Sequence, residues 1–144
     1  MSGNIRLPAK IENLENIIRF VKNCAREEGF SLKQISNIEL AIEEALANIC
    51  HYAYAGVGGD MEIHCRTDKT EGFIIEIIDT GRPFNILTVS KPDLTADLST
   101  REIGGLGVLL IRKMVDDIHY CRKEDKNVLT LIMHPTPENG ISHA

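Results

Sequence analysis

Gly72-Phe73-Ile74-Ile75-Glu76-Ile77-Ile78-Asp79 is an almost unbroken apolar run that closes on a carboxylate. Such a run suits a strand in the middle of a sheet covered on at least one face. Just before it, residues 60–67 alternate polar and apolar, a second strand close enough to pair with the first as a hairpin. Beyond Asp79, from Thr80 to Gly105, there is no strong periodicity; Pro83, Pro92 and several Ser, Thr and Asp residues populate it. A stretch this long without regular structure is uncommon in a compact domain and usually functional, so residues 85–103 are expected to act as a lid.

The flanks complete the pattern. From Gly107 to about Asp116, Val108, Ile111 and Val115 mark one face of a helix. Two strands follow, near 117–123 and 127–134, joined by Glu124-Asp125-Lys126. On the other side, a long helix is expected from Ser31 to about Tyr54, where Gly56-Val57-Gly58-Gly59 stops it. Ser31 and Gln34 form a capping box at its start. Ile35, Ile38, Ile42, Ala45, Leu46 and Ile49 form its buried stripe. Residues 11–28 carry Ile11, Leu14, Ile17, Ile18, Val21 and Cys24 at helical spacing, ended by Gly29. Ile5–Leu7 reads as a short opening strand closed by Pro8.

Three helices and five strands, with consecutive strands as hairpins, predict an α+β fold. The expected architecture is a two-layer sandwich whose helices cover one face of a mostly antiparallel sheet. An alternating βαβ fold fits this order poorly. Residues 1–144 are expected to form a single domain, with a core over about 5–134 and a polar tail over 135–144.

Composition narrows the function. The net charge is −5, aromatic residues are 5% and Trp is absent. These values argue against a nucleic-acid or anionic-membrane surface as the main partner, although Arg112-Lys113 and Arg122-Lys123 could form a local basic patch. No apolar stretch approaches the length of a signal peptide core or a membrane span, so a soluble, cytoplasmic protein is expected. The four cysteines form no CxxC pair and read as small buried hydrophobes. Cys50-His51 and His64-Cys65 could be drawn as a zinc set. Sequence neighbours diverge by about 100° on a helix and point to opposite faces of a strand, which disfavours a shared tetrahedral centre.

Three constellations carry chemistry. Glu44 and Asn48 stand four apart on the long helix, on a face distinct from the apolar stripe. An amide oxygen there suits Mg²⁺, and the carboxylate one turn away could take a proton; a solvated polar face is the plainer alternative. Asp79-Thr80-Gly81 ends the buried strand. Its carboxylate can accept from the exocyclic amine of adenine and Gly81 lets backbone approach the ring, although an Asp-x-Gly turn is common. Gly104-Gly105-Leu106-Gly107 leads straight into a helix and offers backbone amides to an anion; the alternative is a hinge for the preceding loop. No Gly-Lys-Ser/Thr follows, so this is not a Walker loop.

Glu44-xxx-Asn48, the run Asp79-x-Gly81-x-Pro83-Phe84, and Gly105-x-Gly107 with Leu109 through Asp116 together resemble the GHKL superfamily, the histidine-kinase-like (Bergerat) ATPases. Within it the chain is most similar to the stand-alone anti-sigma factor serine/threonine kinases that regulate bacterial stress and sporulation programmes. The resemblance covers roughly residues 5–134. It implies an ATP (or ADP) and Mg²⁺ site. In that site Glu44 is the general base, Asn48 binds Mg²⁺ and Asp79 reads the adenine amine, with Gly81 beneath the ring. Gly104, Gly105 and Gly107 wrap the phosphates, Thr130 lies near adenine, and Arg101, on the lid, is the nearby candidate to replace the Arg that close members carry at the position of Ile103. It further implies a homodimer that phosphorylates an antagonist protein and sequesters a sigma factor. The chain departs from the family at Ile103, where close members carry Arg, and at Tyr52, where many carry His. A nucleotide-dependent partner-binding module with little or no phosphotransfer is the alternative.

Overall fold

The computed structural model describes residues 3–54, 58–88 and 107–135. Five strands form one antiparallel sheet in the order β1-β2-β3-β5-β4, comprising β1 (Gly3–Pro8), β2 (Asp60–Asp68), β3 (Gly72–Asp79), β4 (Asp117–Lys123) and β5 (Lys126–Met133). The apolar run 72–79 occupies the centre, as its composition predicts. Three helices, α1 (Ile11–Glu27), α2 (Leu32–Asn48) and α3 (Gly107–Met114), make the second layer. The α+β two-layer expectation holds.

Local sequence accounts for the helix ends. Gly29, at φ +86°, ends α1: its N–H bonds to the Arg26 carbonyl and the Phe30 N–H to the Ala25 carbonyl. This double closure needs a left-handed residue, which glycine adopts without strain. Phe30 then turns inward against Phe73, ring centroids 5.4 Å apart. The Ser31–Gln34 capping box is present, with the Gln34 N–H donating to Ser31 Oγ at 3.1 Å and the Ser31 N–H to Gln34 Oε1 at 3.2 Å. Gln34 Nε2 also donates to the His134 carbonyl, tying the start of α2 to the end of the sheet.

The core lies between Ile63, Cys65, Ile75, Ile77, Leu129 and Leu131 on the sheet and Ile17, Val21, Ile38, Ile42, Leu46 and Ile111 on the helices. Each such side chain contributes about 1.5–3 kcal/mol on burial. α2 sits between α1 and α3 and packs on both. Its α-helical part stops at Asn48, earlier than the periodicity predicts. Ile49–Ala53 continue as one wider π turn, closed by the Tyr54 N–H on the Ile49 carbonyl at 3.1 Å. Such turns insert a residue into the helical ladder and recur at functional sites.

Candidate functional site

Asn48, the last residue of α2 before the π turn, is 1% exposed. The sequence places Glu44 and Asn48 on a face apart from the apolar stripe; the structure buries Asn48 as deeply as that stripe. The reason is that α2 is flanked by helices on two sides, so more than one of its faces is covered. Asn48 Nδ2 donates to the Glu44 carbonyl at 2.6 Å, while Oδ1 is buried without a hydrogen-bond partner. An orphaned buried carbonyl oxygen costs about 1–3 kcal/mol. A hard cation is the partner that suits it, so the residues present fit Mg²⁺. The Glu44 residue, one turn back, is half-buried.

The next residues along the same two turns, Ala45 and Ile49, form one wall of a tight cavity whose other walls include Asp79, Phe84, Ile86, Tyr120 and Asn127. Asp79 is 3% exposed, and both bonds it accepts fall on Oδ1: from the Gly81 N–H at 2.9 Å and from Asn127 Nδ2 at 2.8 Å. Burial pushes its carboxyl above the ordinary carboxylate range, against the pull of the Asn127 amide, the Gly81 N–H and the Arg122 guanidinium.

The turn after Asp79 is braced from several sides. The Arg82 N–H donates to the Ala53 carbonyl at 3.0 Å and Arg82 Nε to the Tyr52 carbonyl at 2.8 Å. Arg122 Nη1 donates to the Gly81 carbonyl at 2.8 Å, so Arg122 braces this turn. The Tyr54 hydroxyl receives the Thr80 N–H at 2.9 Å and donates to the Asp60 carbonyl. Tyr52, where the sequence resemblance leads one to expect His, stacks on Phe84 with centroids 5.0 Å apart and planes 20° apart. Gly81 has a reason the sequence does not reveal. A Cβ there would lie 2.5 Å from the Ala53 carbonyl oxygen, so glycine permits the end of the π turn to touch the Asp79 turn.

The expected site residues fare unequally. Asp79 shares a cavity with Ala45 and Ile49 of α2 and the π turn after it, Gly81 lies against Ala53 at the end of that turn, and Glu44 and Asn48 stand one turn apart on α2 beside those cavity residues in sequence. Gly107 is the first residue of α3, which packs on α2. Arg101, Gly104 and Gly105 lie outside the described residues, as does most of the 85–103 lid; of that lid, Ile86–Thr88 form a 3-10 turn whose Ile86 is buried in the cavity wall. Thr130 requires a correction. It alternates with the core residues Leu129 and Leu131, and its register partners are Glu76 and His119. Period-2 alternation therefore turns it to the sheet face away from the helices and away from Asp79. The β5 residue beside Asp79 is Asn127, its register partner. Sequence reasoning missed it, although Asn127, Leu129, Leu131 and Met133 share one inward phase and would have exposed a polar residue among core positions. The drawn zinc set also comes apart: Cys65 faces the core, where burial pushes its thiol up, and His64 points the other way to Glu62 at 2.6 Å.

Against this geometry, the model of the histidine kinase-like ATPase domain matches residues 7–133. The chain belongs to that family. Among curated relatives, the serine-protein kinase RsbW of Listeria innocua is 29% identical over 132 residues, covering 87% of this chain and 82% of its own. The RsbW of Bacillus mycoides is also 29% identical, over 131 residues, covering 87% and 80%. The serine/threonine-protein kinase BtrW of Bordetella bronchiseptica is 27% identical over 139 residues, covering 96% and 97%. A crystal structure of the RsbU and RsbW domains of Rv1364c from Mycobacterium tuberculosis superposes with a TM-score of 0.66 at 17% identity. It matches over 93% of this chain and 32% of that one, a likeness of fold. The resemblance to stand-alone serine/threonine kinases of the histidine-kinase-like fold is thus borne out. Among the described residues no helix is long and apolar enough to cross a membrane.

Proposed function

We propose that this protein binds Mg-ATP in the cleft between α2 and the end of β3 and transfers the terminal phosphate to a serine or threonine of an antagonist protein. In its competing complex it sequesters a sigma factor, as a cytoplasmic homodimer forming a single domain. The observation that carries the reading is the buried, unpartnered Asn48 Oδ1 on the helix whose end, with Ala45 and Ile49, walls a cavity that also includes Asp79. A bound Mg²⁺ supplies charge neutralisation for the phosphates. Asn48 holds it through Oδ1. Asp79 accepts from the adenine amine, and Gly81 lets the turn carrying Asp79 close against the helix end. Glu44 takes the proton of the attacking hydroxyl. The amides of Gly104, Gly105 and Gly107, with the α3 N-terminus behind them, cradle the phosphates, and Arg101 adds a positive charge. Positioning and charge carry most of such a reaction.

The test is incubation of the purified protein with labelled Mg-ATP and the candidate antagonist, reading phosphoserine or phosphothreonine. Label on the antagonist supports the kinase. Nucleotide-dependent binding of the antagonist with no label supports the alternative, a sequestering module, which Ile103 in place of an Arg favours.

A further inference from the structure

Asn127 is 3% exposed and every polar atom of its side chain is bonded. Nδ2 donates to Asp79 Oδ1 and to the Arg82 carbonyl, each at 2.8 Å. Oδ1 accepts the Phe84 N–H at 3.1 Å and the Tyr120 hydroxyl. The partners dictate the orientation of the amide. A flipped amide would set Oδ1 against a carboxylate and a carbonyl, and Nδ2 against two donors. The side chain is therefore clamped from two strands and from the turn that follows Asp79. Because Asn127 and the Gly81 N–H both take Oδ1, the Asp79 carboxylate is held in one rotation with Oδ2 left for a further donor.

We propose that Asn127 is a positioning residue for base recognition: by occupying Asp79 Oδ1 it presents Oδ2 to the exocyclic amine of adenine. This rests on the adenine reading of Asp79. It also gives Asn127 the place in β5 that the sequence resemblance assigns to Thr130. A carboxylate free to rotate would spend part of its time bonded to water or turned out of the base plane, and the amine would lose an oriented acceptor. Asn127 also holds the Arg82 carbonyl and the Phe84 N–H, so the same residue fixes the turn that carries Asp79 into the cleft.

The experiment uses the full chain and two ligands, ATP and purine riboside 5′-triphosphate, which has hydrogen in place of the amine. Affinities are measured by calorimetric titration for the wild type, Asn127→Thr and Asn127→Val. The two variants match in shape and differ in one hydroxyl donor. Wild type is expected to prefer ATP by roughly 10- to 100-fold, the value of a hydrogen bond to a charged acceptor. Asn127→Thr keeps most of that preference and Asn127→Val loses about tenfold of it. A Val variant that weakens both ligands equally, with the wild-type preference intact, overturns the proposal and leaves Asn127 a structural brace. A wild type that does not distinguish the two ligands overturns the adenine reading of Asp79, and the proposal with it. Should Asn127→Val fail to fold, Asn127→Ser against Asn127→Ala gives the same contrast of donor and no donor: a preference kept by Ser and lost by Ala supports the proposal, and one kept by both overturns it.

Discussion

Asn48 and Asn127 are buried to nearly the same degree, at 1% and 3% exposure, and they are bonded in opposite ways. Asn127 sits at the Asp79 end of the cleft with both amide hydrogens and its oxygen engaged. Asn48 ends α2, next in sequence to the cavity residue Ile49, with one hydrogen bonded inside its own helix and its oxygen bonded to nothing. Burial alone would class both as scaffold. The hydrogen-bond inventory separates them: a satisfied network defines a shape, and an unsatisfied oxygen held at a helix end defines a demand. The cleft is thus rigid where a base would be read and chemically open where a cation would be held.

The sharpest way to test the open end is its carboxylate. Glu44→Gln keeps size and polarity, so Mg-ATP affinity should stay within about twofold while phosphotransfer to the antagonist falls roughly 10²–10⁴-fold. Unchanged transfer would remove Glu44 from the chemistry. Next comes the contrast between the asparagines. Asn127→Leu leaves the Tyr120 hydroxyl, the Phe84 N–H and the Arg82 carbonyl without their partner and should cost about 3 kcal/mol or more in urea unfolding. Asn48→Leu loses one helix-internal bond but relieves the orphaned oxygen, so stability should stay within about 1 kcal/mol of wild type while the Mg²⁺ dependence of nucleotide binding disappears. Equal losses in the two variants would erase the distinction between a braced end and an open one.

A smaller effect is expected at the contact between the two ends. Gly81→Ala drives a methyl into the Ala53 carbonyl and should destabilise by about 1–3 kcal/mol. The smallest concerns pH. Burial raises the Asp79 carboxyl, so the folded chain releases this proton at a higher pH than the unfolded chain does. This group's penalty is fully present above the folded pKa and fades as pH falls through it, so its contribution lowers stability as pH rises. Asp79→Asn should flatten that part of the pH–stability curve in the window that opens upward from the ordinary carboxylate range, measured by thermal unfolding. An unaltered slope would show that Asp79 does not titrate in that window.

Much of this was legible in the sequence because two signals agree over most of the chain. Periodicity fixed the strand pairs and the three helices, and caps such as Ser31–Gln34 and Gly29 set the ends. What escaped were facts that depend on which faces meet. The apolar stripe of α2 is readable, but that α1 and α3 both flank this helix is not, and so the burial of Asn48 was missed. The widening into a π turn after Asn48 leaves no mark on an apolar pattern only a few residues long. Gly81 reads as a turn residue, and its contact with Ala53 spans two elements. The outward phase of Thr130 is different: counting by twos from Leu129 would have shown it on the sheet face away from Asp79, but the residue comes from the family resemblance and not from its phase.

The seam between β3 and β5 has a consequence for how the chain reaches this state. β2–β3 and β4–β5 are local hairpins, whereas β3 meets β5 only by closing the chain between residues 79 and 127, the pair that carries Asp79 and Asn127. Loop closure of that length follows local pairing in cost, so each hairpin is able to form before the cleft exists. A slip of one residue along the seam would turn one strand's inward set outward and place the carboxylate and the amide on opposite faces. A sheet misregistered at this seam therefore parts the Asp79–Asn127 pair, and recognition that depends on the pair reads out the register of the sheet.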